Sequence, residues 1–204
     1  VPDPTTPQYI ADFICWPAIG ARTSESQTHR QMASGLSMPI GFKNTISGDL
    51  KAAINAIGAA TKPQNFLGVS EQGVASAITT SGNPDCHVIL RGGETGPNYD
   101  DASVQSAVDA LKAANRPPHV MIDASHANCG KDDKRMPGVF EEIVAQRDAG
   151  NKAIIGAILE SNFVAGNQKL PQPLDDLVHG KSITDNCIVW ESTVSLLMTA
   201  NEAI

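Results

Sequence analysis

Six residues of this 204-residue chain have the types and settings for joint chemistry. Arg22 follows Ala18-Ile19-Gly20-Ala21, Lys43 follows Pro39-Ile40-Gly41-Phe42, and Arg91 follows Val88-Ile89-Leu90, so each cation closes a short apolar run. Further along, His126 follows Met121-Ile122-Asp123-Ala124-Ser125, Glu160 follows the apolar run 153–159, and Asp185 closes Ser182-Ile183-Thr184. Arg offers a planar fork and Lys a point charge, so three cations brought together bind an anion such as phosphate or carboxylate. A histidine and two carboxylates brought together can ligate a divalent metal. Taken singly, each is a solvated loop charge at the end of a strand. Taken jointly, they describe a basic half beside a metal-binding half. His126 poses the choice most sharply. It either caps a strand as an ordinary histidine, or it stands as a ligand or acid–base group at the mouth of an α/β site.

Such a gathering needs strands whose carboxyl ends share an edge, which is where α/β folds bind ligands. The apolar runs supply them. A run at 13–19 is followed by a helix-like stretch at 25–36, and a run at 38–42 by Leu50-Ala53-Ile54-Ile57 at helical spacing. A run at 87–90 precedes Val104-Val108-Leu111 on one helical face, with Asp100 and Asp101 as capping candidates. The run 119–122 precedes Val139 and Ile143, 153–159 is the last long apolar run, and 186–200 reads as a closing helix. Between the second and third units, apolar segments on either side of Glu71-Gln72-Gly73 predict an inserted β-hairpin. Repeated β-then-α units imply parallel strands joined by right-handed crossovers, hence an α/β domain. Periodicity leaves an open doubly wound sheet and a TIM barrel both available. No GxGxxG follows the first strand, which weakens the dinucleotide-binding version, and five strands do not close an eight-stranded barrel.

Bulk properties narrow the function class. With 41% hydrophobic and 18% charged residues, the chain suits one globular domain over 1–204. A net charge of -7 argues against nucleic acid or an anionic membrane as partner. No apolar run approaches the ~20 residues of a membrane span, and the first residues lack the basic-then-apolar pattern of a signal peptide. Cys15, Cys86, Cys129 and Cys187 are widely spaced, which predicts reduced thiols and a cytoplasmic setting. His29 and His87 read as structural, and His119 and His179 as surface residues. Gly92-Gly93 either lets backbone approach a ligand or makes a turn. The segment 161–181 is long for a plain connection and reads as a lid, a binding loop or a flexible insertion.

The strings GARTSESQTHRQMASGLSMPIGFKN, GNPDCHVILRGG, PNY, DASHAN, AIIGAILESN and GKSITDNCIVWE resemble the microbial type I 3-deoxy-D-arabino-heptulosonate 7-phosphate (DAHP) synthases, in family order and almost from end to end. The resemblance implies a TIM (β/α)8 barrel, of which this chain holds the last five strands and the hairpin. It implies the first step of the shikimate pathway, in aromatic amino acid biosynthesis: condensation of phosphoenolpyruvate (PEP) with erythrose 4-phosphate. Carried over position by position, Arg22, Lys43 and Arg91 hold the phosphate and carboxylate of PEP, and Asp185 also contacts substrate. Lys43, Arg91 and His126 are the catalytic residues. His126, Glu160 and Asp185 ligate a divalent metal ion (Mn2+, Fe2+, Co2+ or Zn2+). An effector pocket for an aromatic amino acid is implied near Pro7, Gln8, Met32, Leu36, Ser37 and Phe66, in a homo-oligomer.

The resemblance also places a fourth metal ligand, a cysteine, and a Lys-Pro-Arg-Thr loop contacting both substrates on earlier strands that this chain does not contain. Cys129 and Cys187 lie beside matched motifs but not at the metal-cysteine position. Asn44-Thr45-Ile46-Ser47-Gly48 and Ala165-Gly166-Asn167-Gln168 depart from the family strings, so local loops differ there. Two other readings stand beside the heptulosonate enzyme: a related PEP-condensing sugar-acid synthase, and a non-catalytic regulatory or assembly fragment.

Overall fold

The computed structural model describes residues 3–203, so Val1, Pro2 and Ile204 lie outside the described residues. The chain forms two compact units: Val1–Ile89 with Ala107–His119, and Leu90–Ser106 with Val120–Ile204.

In the first unit β1 (Ala18–Ile19) leads to α1 (Gln27–Gly35) and β2 (Ile40–Lys43) leads to α2 (Lys51–Ala60). A hairpin of β3 (Asn65–Val69) and β4 (Ala75–Thr79) then precedes β5 (Cys86–Leu90), whose last residue opens the second unit. Strands β1, β2 and β5 pair in parallel, with Ile19 opposite Phe42 and Lys43 opposite Ile89. All five residues of β5 are buried, as expected of a parallel strand covered on both faces. Ile19, Ile40, Phe42, Val88 and Ile89 form the sheet's share of the core, and Met32, Ala53, Ile57 and Leu111 the helices' share. Each large aliphatic side chain taken fully out of water stabilises by ~1.5–3 kcal/mol. The run at 13–19 shortens to two strand residues, because Ala11–Phe13 is a 3-10 turn and Pro17 has no N–H to donate to a ladder. The hairpin is antiparallel as expected, from Asn65 opposite Thr79 to Val69 opposite Ala75, and Gly73 (φ 75°) makes its turn.

Helix α3 (Asp101–Ala113) begins in the second unit and ends in the first. Asp100 caps it, accepting from Ser103 N–H at 3.0 Å and Ser103 Oγ at 2.7 Å, which holds the Asp100 carboxyl below its usual range. Asp101 is instead the first helical residue.

The second unit continues with β6 (Val120–Asp123), α4 (Met136–Asp148) and β7 (Ile154–Ile158), β6 and β7 pairing in parallel. Short strands β8 (Ser161–Asn162), β9 (Val164–Asn167), β10 (Lys181–Ser182) and β11 (Ile188–Val189) precede α5 (Trp190–Ala203). The closing helix therefore starts at Trp190 rather than at 186, because Ile188 and Val189 pair with β8. Segment 161–181 is tied to itself: Gln168 Nε2 donates to the carbonyls of Val178 (2.9 Å) and Lys181 (2.8 Å), and Gln168 Oε1 accepts from Val178 N–H (2.9 Å). α5 packs on α4 through Leu196 and leaves Trp190, Val194, Leu197 and Met198 exposed at helical spacing on another face. Among the described residues no helix is long and apolar enough to cross a membrane. Both units alternate strand and helix around parallel strands, so the chain is α/β.

Candidate active site

The second unit collects the three candidate ligands. β6 ends at Asp123, and the turn that follows puts His126 in the left-handed region (φ 55°), rare for a residue with a Cβ and costing ~1–3 kcal/mol that its surroundings must supply. They do so through Lys131 N–H, which donates to the His126 carbonyl at 2.7 Å, with Gly130 (φ 65°) and Lys131 (φ 60°) completing the turn. The imidazole is thereby thrown toward the ends of β7 and β10. Its Nε2 lies 3.9 Å from Glu160 Oε1 and 3.7 Å from Asp185 Oδ2. Its buried Nδ1 lies 2.7 Å from Asp123 Oδ2, with the carboxylate off the N–H axis, so this nitrogen has no aligned hydrogen-bond partner. Asp123 is fully buried, Glu160 and Asp185 partly exposed.

Among the described residues no three His, Cys, Asp or Glu side chains close up as a finished metal cage. The donor types are nonetheless those a divalent ion takes: one imidazole nitrogen faces two carboxylates, and the second imidazole nitrogen has a buried carboxylate behind it. Ligand atoms ~2.0–2.2 Å from one ion stand slightly closer together than these do, so binding requires the three side chains to draw in. Cys129 and Cys187 border this place without completing it. Cys129 Sγ donates to the His126 carbonyl (3.5 Å) and Cys187 Sγ to the Asp185 carbonyl (3.6 Å), and burial pushes both thiols up, so both stay protonated at neutral pH.

Asn128, fully buried, ties the loop after β5 to the loop after β6. Its Oδ1 accepts from Asn98 N–H (2.8 Å), and its Nδ2 donates to the carbonyls of Leu90 (3.1 Å) and Asp123 (2.8 Å). Asn98 Oδ1 in turn accepts from Gly92 N–H at 2.7 Å. Gly92 (φ 76°) runs so close to the second loop that a Cβ there would stand 2.8 Å from the Ala127 carbonyl carbon. The glycine is needed for close backbone approach as well as for the turn. This clamp ties the backbone on either side of the buried Arg91 to the loop that carries His126.

In the first unit Arg22 and Lys43 lie at the carboxyl ends of the paired strands β1 and β2. Ser24 Oγ donates to the Lys43 carbonyl at 2.6 Å, which joins the two strand-end loops. Arg22 is exposed and Lys43 half-buried. The departing turn after Lys43 is tight: Thr45 Oγ1 accepts from Asp49 N–H at 2.9 Å, and Gly48 has φ 101°. Of the residues expected at an effector pocket, Met32 and Leu36 are buried on and just after α1, Phe66 is half-buried on β3, and Ser37 is exposed. Pro7 and Gln8 form a 3-10 turn, and Gln8 Nε2 donates to the Val69 carbonyl at 3.1 Å, docking it on the hairpin. His29 contacts its own helix cap, Ser26, His87 is buried, and His119 and His179 are exposed.

Sequence reasoning passed over Asp123, Ser125, Asn98 and Asn128. Their only sequence signal is that Asp123, Ser125 and Asn128 share the DASHAN string with His126, and that Asn98 lies in the PNY string.

The chain matches the family model described as the DAHP synthetase I family over residues 1–198. It is 51% identical over 195 residues to the Tyr-sensitive phospho-2-dehydro-3-deoxyheptonate aldolase of Escherichia coli (strain K12), covering 96% of this chain and 54% of that protein. To the Phe-sensitive enzyme of the same strain it is 50% identical over 202 residues, covering 99% of this chain and 57% of that protein. The solved structure of phospho-2-dehydro-3-deoxyheptonate aldolase from Francisella tularensis SCHU S4 superposes with a TM-score of 0.92 at 45% identity, covering 98% of this chain and 57% of that one. The chain thus spans about half the length of these relatives. With the family match running over residues 1–198 and about half of the residues identical in these relatives, the chain belongs to the DAHP synthetase I family.

Proposed function

We propose that this chain supplies PEP-binding and metal-holding residues to an enzyme that condenses PEP with erythrose 4-phosphate, giving DAHP and phosphate. The approach of His126 Nε2 to both carboxylates, 3.9 Å from Glu160 Oε1 and 3.7 Å from Asp185 Oδ2, carries the reading. It is supported by the family match and by the printed names of the relatives. In the same reading residues 1–204 are one portion of a TIM barrel holding its last five strands, supported by the superposition on the Francisella enzyme. Carbon 3 of PEP forms a bond to the aldehyde carbon of erythrose 4-phosphate, water adds at carbon 2, and phosphate leaves with its C–O bond broken. His126, Glu160 and Asp185 would hold a divalent ion, which when bound would supply Lewis acidity toward the aldehyde oxygen. Arg91, buried and braced by the Asn98–Asn128 clamp, presents a fixed guanidinium fork to the phosphate or carboxylate of PEP. Lys43 and Arg22 add charge from the ends of β2 and β1. These cations orient PEP and offset charge developing on the departing phosphate.

The relatives named Tyr-sensitive and Phe-sensitive support an aromatic amino acid effector, acting near Pro7, Gln8, Met32, Leu36, Ser37 and Phe66 in a homo-oligomer. Four free cysteines, three of them buried, suit a reducing cytoplasm. The test is PEP consumption by the complete protein with Mn2+ and erythrose 4-phosphate. Arg91→Ala is expected to lower the rate by about 10²–10³. Undiminished turnover in Arg91→Ala would remove Arg91 from the mechanism, and no erythrose-4-phosphate-dependent turnover by the parent protein would refute the reaction itself.

A further inference from the structure

We infer that Asp123 and Ser125 are positioning residues that preset two of the three ligands, His126 and Glu160, from inside the second unit. The inference rests on the metal-holding reading of His126, Glu160 and Asp185 and extends it one layer inward.

Asp123 ends β6 with its side chain fully buried, a place where a carboxylate persists only if both oxygens have partners. Oδ1 accepts from Ser125 N–H at 2.9 Å, which fixes the carboxylate plane. Oδ2 stands 2.7 Å from His126 Nδ1 and is the charged group facing that buried nitrogen. A carboxylate there favours the proton on Nδ1, which leaves the lone pair on Nε2, the atom facing Glu160 and Asp185. A ring turn that aligns Nδ1–H with Oδ2 satisfies this buried nitrogen.

Ser125 performs the parallel task for Glu160. Its side chain is buried, its Oγ accepts from Glu160 N–H at 2.9 Å, and its hydroxyl hydrogen points toward Met136 Sδ at 3.4 Å. That bond joins the turn after β6 to the end of β7, next to the parallel pairing of Asp123 with Ile158. One buried strand end thus sets the tautomer of the histidine and the backbone position of the glutamate. Outer-shell partners of this kind typically change metal affinity by ~10–100-fold when removed.

The experiment measures Mn2+ affinity of the complete protein by competition with a chelating dye, the visible absorption of its Co2+ form, and the melting temperature without metal. The variants are Asp123→Asn, Ser125→Ala and, as reference, His126→Ala. The expected result is ~10–100-fold weaker Mn2+ binding in Asp123→Asn and Ser125→Ala, with altered Co2+ absorption bands. Ser125→Ala should melt without metal close to the parent. Parent-like affinity and absorption in Ser125→Ala, or in a folded Asp123→Asn, overturns the inference while leaving the ligands in place. If Asp123→Asn does not fold, Ser125→Ala decides alone. Parent-like affinity in His126→Ala overturns the metal-holding reading itself, a different failure.

Discussion

His126 and Gly92 carry left-handed backbone in the loops after β6 and β5, and each makes a sharp expectation. His126→Ala removes the one imidazole donor, so Mn2+ binding by the complete protein should fall by at least the ~10–100-fold that outer-shell changes cause, read by dye competition. Gly92→Ala adds a Cβ at φ 76° against the Ala127 backbone at 2.8 Å, so the protein should unfold with about 1–3 kcal/mol less stability, read by urea titration. Charges at the ends of apolar runs stand out in a sequence, which is why Arg91, His126, Glu160 and Asp185 are the candidates it offers. Asp123, Ser125 and Asn128 are not, because a polar residue just past a strand looks the same whether it faces water or anchors a ligand. Only the fold reveals that Asn128 spans the chain to Leu90 and Asn98.

Elements were legible where the apolar run was long and blurred where backbone chemistry intervened. β5, with five buried residues, and the hairpin came out as expected, because continuous burial and a Gly-ended turn both leave marks in sequence. Pro17 cut the first strand short, and the pairing of β8 with β11 delayed the closing helix, a contact 27 residues apart that periodicity cannot see. One tie between elements makes a pH prediction. Trp16, just before β1, donates Nε1–H to His87 Nε2 on β5 at 3.0 Å, the rings stacked with centroids 5.9 Å apart. Burial lowers the His87 pKa, the nearby His119 adds to this, and only the neutral ring can accept from Trp16. The unfolded chain therefore binds a proton that the folded one refuses, so stability should fall as pH drops below about 6.5. A denaturant series from pH 7.5 to 5 checks this, with His87→Gln flattening the fall.

For the whole molecule, the proposed reaction needs the cysteine ligand and the substrate-bridging loop that the resemblance places on strands outside these residues. Residues 1–204 expressed alone, with Mn2+, PEP and erythrose 4-phosphate, should consume no PEP above background. Turnover near that of a full-length relative would mean the chain builds its site another way. The row of Trp190, Val194, Leu197 and Met198 on α5 has a consequence of a different kind. Bare apolar side chains at helical spacing are what chaperones and quality-control proteases read as an unfinished protein. With this row uncovered the 204 residues should bind anilinonaphthalene sulfonate brightly, and Leu197→Glu with Met198→Lys should dim the dye without lowering the melting temperature. In a cell, the lifetime of this polypeptide would then be set by how soon something covers one side of its last helix.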